Sequence, residues 1–134
     1  NLSLPAARRG ASVNAIDADE LAIASATKNA ARLGFAETKF IAGKALEAVQ
    51  FLIRAKYRPE IVILDPPRTG AAELMESIIK LHPRSVVYVS CDVATLARDL
   101  RVLLNGGYRA NRIAAFDFFP NTHHAEIAAH LLLT

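Results

Sequence analysis

The sequence predicts an α/β fold: an open, mainly parallel sheet with helices on both faces, finished by an antiparallel hairpin. Two observations lead there. Short, nearly continuous apolar runs alternate with stretches whose apolar residues recur at three and four residues, the pattern of buried parallel strands joined by amphipathic crossover helices. From Tyr108 onward the helical spacing stops, and two further strand-like runs follow one another across a polar turn.

Taken in order, Asn1 to Arg9 reads as a helix already under way, and because the first residue is Asn the chain is expected to begin inside a larger protein. Ser12 to Asp17 is a short strand ending in an acid. The helix after it carries Ile23, Ala26, Ala30 and Leu33 on one face and is stopped by Gly34. Thr38 to Ala42 and Glu60 to Asp65 read as strands, with a helix between them that presents Leu46, Val49 and Leu52 or Ile53. Asp65-Pro66-Pro67-Arg68-Thr69-Gly70 has to be a loop at a strand's carboxyl end, because two prolines remove consecutive backbone donors and a glycine follows. A helix with Leu74, Ile78 and Leu81 comes next, then the strand Ser85 to Ser90. The helix from about Val93 to Leu104 has the stripe Val93, Leu96, Leu100 and Leu103 and closes at Gly106-Gly107. Arg109 to Phe118 and Ala125 to Leu133 are the expected hairpin strands.

At 134 residues, 52% of them hydrophobic, the chain is expected to form one compact unit. No apolar stretch approaches the roughly 20 residues that span a bilayer, so no membrane association is expected. One cysteine cannot form an internal disulfide, which suits a reducing cytoplasm. A net charge of +3 would favour a polyanionic partner, but the basic residues are scattered and select none. Oligomeric state is not encoded in any pattern.

Ligands of an open parallel sheet bind at the carboxyl ends of its strands, which directs attention to Asp17, the segment after Ala42, Asp65 to Gly70, and Ser90 to Asp92. Asp17 could accept hydrogen bonds from the two ribose hydroxyls of a nucleotide-like cofactor; equally, Asp17 or Asp19 could simply cap the following helix. Cys91 stands directly before a helix start, where backbone N–H groups and the helix dipole favour a thiolate, although a lone cysteine is more often a small buried hydrophobe. Asp92 opposes the thiolate unless its oxygens turn to the helix N–H groups. In the turn from Phe118 to Glu126, the two histidines and one acid are too few at zinc-like spacing, so no metal is expected, and Glu126 reads as a general base or a solvated acid.

These segments together resemble the RNA uracil-5-methyltransferases that modify bacterial ribosomal and transfer RNA. Asp65 to Gly70 resembles their Asp-Pro-Pro-Arg-x-Gly loop, Val89-Ser90-Cys91-Asp92 their nucleophile segment, and Thr95-Leu96-Ala97-Arg98-Asp99-Leu100 the helix that follows. Asp117-Phe118-Phe119-Pro120, with Thr122, His124 and Glu126, resembles their closing motif, and Asn1 to Pro5 looks like the tail of their cofactor loop. The resemblance covers the whole chain. It implies a Rossmann-like class I S-adenosylmethionine-dependent methyltransferase sheet in which residues 1–134 are a partial catalytic domain, truncated at the N-terminus, with the first strand and glycine-rich loop upstream.

The implied reaction puts a methyl group from S-adenosyl-L-methionine on carbon 5 of a uridine in ribosomal or transfer RNA. Cys91 would add to carbon 6 and Glu126 would remove the carbon 5 proton. Asp17 and Asp65 would serve the cofactor, while Asp65, Pro66, Pro67, Arg68 and His124 would meet the substrate. Two departures stand out. Lys44 takes the place of an acid that reads the adenine in this family, and Asp92 and Val93 replace the usual Asn and frequent Pro. The 134 residues alone are expected to bind the methyl donor poorly and to be inactive. A catalytically idle RNA- or cofactor-binding module with the same fold is the main alternative. An amino-group methyltransferase using Asp65 to Pro67 is the other, and it leaves Cys91 and Glu126 without a task.

Overall fold

The computed structural model describes residues 2–118 and 125–134. The elements run α1 (Ser3–Arg8), β1 (Asn14–Asp17), α2 (Glu20–Arg32), β2 (Lys39–Ala42), α3 (Ala45–Arg54), β3 (Ile61–Leu64), α4 (Ala72–Leu81), β4 (Ser85–Ser90), α5 (Val93–Asn105), β5 (Tyr108–Phe116) and β6 (Glu126–Leu133). Each element expected from periodicity is present, and the helical stripes and turn residues set its limits.

The single unit expected from length is instead two, Asn1–Ala48 and Val49–Thr134, with α3 crossing the division. The strands correspondingly form two ladders, β1-β2 and β3-β4-β6-β5, because no backbone pairing among the described residues links β1 or β2 to β3. In the first unit β1 and β2 are parallel, Asn14 facing Lys39 and Asp17 facing Ala42, and α2 packs on both. That helix starts where Asp19, in extended conformation, accepts hydrogen bonds from the N–H groups of Leu21 at 2.8 Å and Ala22 at 3.1 Å. It stops at Gly34, whose φ of +80° is the left-handed conformation that ends a helix cheaply only for glycine.

In the second unit β3 and β4 run parallel, then β6 pairs antiparallel with β4 and with β5. The hairpin was expected; what the sequence leaves open is that its second strand, β6, lies inside, between β4 and β5. Helices α4 and α5 pack on each other, and α5 packs on β4 and β5. Met75 and Ile78 of α4, Val86 and Tyr88 of β4, Leu103 of α5 and Leu131 of β6 are wholly buried and form the core. Burying one such aliphatic side chain stabilises the fold by about 1.5–3 kcal/mol.

Burial of the strand runs is uneven. β4 is buried along most of its length, whereas Ile61 and Ile63 of β3 remain 56% and 44% exposed. The physical reason is position: β3 is the outer strand of its ladder, and β4 has a neighbour on each side.

Urea denaturation should separate buried from exposed positions. Ile78→Ala, at a fully buried site, is expected to cost about 2–5 kcal/mol. Leu21→Ala, at a side chain 80% exposed, is expected to stay within about 0.5 kcal/mol of the parent.

Candidate active site

The parallel pair β3-β4 brings the Asp65–Gly70 loop and Ser90-Cys91-Asp92 to the same end of one sheet. Antiparallel β6 returns to that end. Its register pairs Ser90 with Ile127, so Cys91 and Glu126 each stand one residue beyond that pair, on adjacent strands. Strand order thus brings together two residues 35 positions apart in sequence (126 − 91). Glu126 is half-buried and also pairs with Phe116 of β5.

A cavity of about 490 Å³ opens here, walled by Asp65, Val89, Phe116, Phe118, Glu126, Ile127 and Ala128. It therefore unites the two carboxylates, Asp65 and Glu126. Cys91 does not line it but sits two residues past Val89, on the parity of β4 that faces the cavity. The Phe116 and Phe118 rings stack with centroids 5.6 Å apart and planes 2° from parallel, forming an exposed aromatic wall. Phe119 to His124 lie outside the described residues, and the expected substrate contact of His124 falls among them.

The Asp65–Gly70 loop is held by side chains of α5 and β4. Thr95 Oγ1 donates to the Arg68 carbonyl at 2.9 Å, and Arg98 Nη2 donates to the Thr69 carbonyl at 2.9 Å. The Ala71 N–H reaches Asp99 Oδ2 at 2.7 Å and the Tyr88 hydroxyl oxygen at 3.1 Å. Tyr88 donates to the same Asp99 oxygen at 2.6 Å, and Arg98 Nε pairs with the other at 2.8 Å. Gly70 has φ +74°, and a Cβ there would lie 2.6 Å from both Arg98 Nη2 and Asp99 Oδ2. Glycine is required on both counts. Burial, then the bond to Asp99, pushes the Tyr88 hydroxyl far above the ordinary tyrosine range.

None of Tyr88, Thr95, Arg98 or Asp99 was singled out as a site residue from sequence. The available signal was Asp99 itself, a charge three residues after Leu96 and four before Leu103, inside the buried stripe of α5. Phe116 was likewise missed, because it reads as one more strand residue.

Asp92 resolves the conflict posed beside Cys91. It caps α5, its Oδ1 accepting from the Thr95 N–H at 2.8 Å and lying 3.0 Å from the Thr95 hydroxyl, whose single proton it shares with the Arg68 carbonyl. The Thr95 N–H bond, followed by the hydroxyl bond, holds its carboxyl below the usual carboxylate range. Cys91 itself is partly exposed and free. Arg68 is exposed, and its charge also acts on Asp92. Pro66 is half-buried and Pro67 exposed.

In the first unit Asp17 and Gly43 share the carboxyl end of the β1-β2 ladder. The cap of α2 is Asp19, and Asp17 Oδ1 accepts the Asp19 N–H at 2.9 Å, which leaves the Asp17 carboxylate exposed at the strand end. Lys44 is exposed immediately before α3. Among the described residues no three His, Cys, Asp or Glu side chains group as a metal set, and no helix is long and apolar enough to cross a membrane.

The family model for tRNA (Uracil-5-)-methyltransferase matches residues 1–133. The chain belongs to that family. A 23S rRNA (uracil(1939)-C(5))-methyltransferase of Aeromonas hydrophila is 41% identical over 96% of the chain and 29% of its own length. An uncharacterized RNA methyltransferase of Bacillus anthracis is 41% identical over 95% of the chain and 28% of its own. The chain thus spans less than a third of these relatives. Among solved structures, the Pyrococcus abyssi tRNA (uracil-54, C5)-methyltransferase in complex with S-adenosyl-L-homocysteine matches 93% of the chain and 30% of its own, with TM-score 0.76 and 32% identity. A SAM-dependent methyltransferase of Agrobacterium tumefaciens shares the fold at TM-score 0.71 and 15% identity, over 98% of the chain and 52% of its own. The α/β class expected from sequence, with its methyltransferase-type sheet, is therefore the fold of this uracil-5-methyltransferase family member.

The buried hydroxyls of this family member give a pH dependence. Tyr88 and Tyr108 are both raised above the ordinary 10.0, Tyr88 first by burial and Tyr108 by burial alone. The unfolded chain releases these protons first, so their contribution to stability is complete below pH 10.0 and declines as pH rises past it. Denaturant midpoints should fall across that range, with tyrosinate absorbance from these residues emerging together with unfolding. Tyr88→Phe should flatten part of the decline.

Proposed function

We propose that the protein containing this chain methylates carbon 5 of a uridine in RNA, with Cys91 as nucleophile and Glu126 as general base. The observation that carries this reading is the β4-β6 register, which sets Cys91 beside Glu126 at the edge of a cavity shared with Asp65, in a chain of the uracil-5-methyltransferase family. Carbon 5 of uracil is too weak a nucleophile to take a methyl group unaided. The Cys91 thiolate adds to carbon 6, breaking the ring's 5,6 double bond and leaving enolate character that makes carbon 5 nucleophilic. When bound, S-adenosylmethionine supplies the electrophilic methyl group that carbon 5 takes. The Glu126 carboxylate then accepts the proton from carbon 5, the electron pair restores the double bond, and the carbon–sulfur bond breaks to return the Cys91 thiolate.

The other residues position the ring. Asp65 meets its polar edge, Pro66 and Pro67 shape the wall beside it, and Arg68 meets a phosphate or a neighbouring base. The aromatic wall of Phe116 and Phe118 suits a planar ring turned out of the RNA stack. His124 is retained as a substrate contact on the resemblance of the closing motif. For the methyl donor, the exposed Asp17 carboxylate fits two ribose hydroxyls, since it offers acceptors to donors. Lys44 does not fit the adenine amino group, because an ammonium is a donor only.

Three measurements on the full-length protein test the reaction. With 5-fluorouridine RNA and S-adenosylmethionine, a covalent protein–RNA adduct is expected, since the fluorine at carbon 5 cannot leave as a proton does. Cys91→Ala should abolish the adduct and lower turnover by about 10⁴-fold or more. Glu126→Gln, which cannot take the proton, should lower turnover by about 10²–10⁴-fold while adduct with ordinary RNA accumulates. An adduct formed by Cys91→Ala would remove this assignment, and methylated adenine or cytosine in place of 5-methyluridine would move the chemistry to an amino group.

We read residues 1–134 as a partial catalytic domain that is inactive alone, as their share of the relatives' length suggests. Calorimetric titration of this chain with S-adenosylmethionine should give no binding in the micromolar range; micromolar binding would refute this.

A further inference from the structure

We propose that Asp99 and Thr95 of α5 are positioning residues for this reaction: Asp99 through Tyr88 and Arg98, and Thr95 directly, keep the Asp65–Gly70 loop in register with the Cys91 end of α5. The role rests on the uracil-methylating reading above and deepens it. Two consecutive prolines remove two backbone donors, the Gly70 N–H to the Pro67 carbonyl at 2.9 Å closes only a local turn, and an exposed loop of this kind is ordinarily mobile. Here the carbonyls of Arg68 and Thr69 and the N–H of Ala71 all bond to side chains of β4 and α5. Those bonds span 17 to 29 residues of sequence, so they constrain tertiary position.

The geometry makes Asp99 the centre. With no exposed surface, its two oxygens receive Tyr88, Ala71 and Arg98, and Arg98 continues to the Thr69 carbonyl. Thr95 adds the Arg68 carbonyl and also contacts Asp92, the cap that follows Cys91. One helix therefore grips the loop that carries Asp65 at three points and, through its own cap, sets the start from which Cys91 projects. Burying a carboxylate carries a desolvation cost that a hydrophobic residue between Leu96 and Leu103 would avoid. Stability alone does not call for an acid here, whereas fixing a donor-poor loop to about half an ångström does. A misplacement of about 1 Å between reacting groups can lower a rate by roughly 10²-fold.

The test compares full-length unsubstituted protein with Asp99→Asn and Thr95→Val, well below each variant's melting midpoint. Two quantities are followed: the rate of adduct formation on saturating 5-fluorouridine RNA, and kcat and KM for methyl transfer to ordinary RNA. Asp99→Asn should slow adduct formation and kcat together, by about 10²-fold, with KM for S-adenosylmethionine within about twofold. Thr95→Val, at a half-buried site with the side-chain shape kept, should slow both by about tenfold. It keeps the proposal testable if Asp99→Asn does not fold. Full-rate adduct formation by a folded Asp99→Asn or by Thr95→Val would overturn the positioning role, as would a loss that only follows the unfolded fraction. If the unsubstituted protein forms no adduct, the uracil reading itself fails.

Discussion

A buried carboxylate is stable only if its lone pairs are met, and Asp99 meets them by drawing on three separate parts of the chain. Tyr88 comes from the middle of β4, Ala71 from the start of α4, and Arg98 from the same helix as Asp99. Satisfying one side chain thus locks a strand, a loop and two helices into one arrangement. Removing any partner leaves charge or polarity stranded in a dry interior, so the arrangement is close to all-or-none. The left-handed Gly70, packed against Arg98 and Asp99, is the backbone counterpart of the same constraint.

The second determinant is where β6 enters the sheet. Had the hairpin simply been appended in chain order, β5 would lie next to β4 and Glu126 one strand further from Cys91. Insertion of β6 between β4 and β5 gives β4 a neighbour on each side and brings the start of β6 beside Cys91. The antiparallel direction matters too, since it brings an N-terminal strand residue to the carboxyl end of the parallel pair, where such sheets bind their ligands.

Charge near Cys91 is managed by geometry. An acid one residue from a cysteine sulfur would act on it unfavourably if both groups faced the same space. Capping directs Asp92 Oδ1 into the first turn of α5, where N–H groups and the helix dipole take up its charge. In the first unit the two acids divide the work differently: Asp19 caps α2, and Asp17 remains exposed at the strand end.

Most of the secondary structure was legible because it depends on local rules: apolar periodicity for α2 to α5, short apolar runs for the strands, and Gly34, the Pro66-Pro67 pair and Gly106-Gly107 for their ends. The positions of Asp17, Asp65 and Cys91 were legible for the same reason, at the ends of recognisable strands, and that of Glu126 as an acid in the polar turn before the last strand; the roles given to them came from the family resemblance. Strand order was not. Two apolar runs of similar composition carry no local mark of which will lie inside, and that is decided by competition for the edge of β4. Nor could sequence assign partners to Asp99, because Tyr88 and Ala71 lie 11 and 28 residues away and meet it only once α5 has packed over β4. The division into two ladders is likewise a matter of which backbones meet. By itself the sequence determined the elements and which residue types stand at the strand ends; the tertiary structure alone decided which acid caps α2 and which groups share a cavity, since hydrogen bonds across distant segments exist only after packing has excluded water.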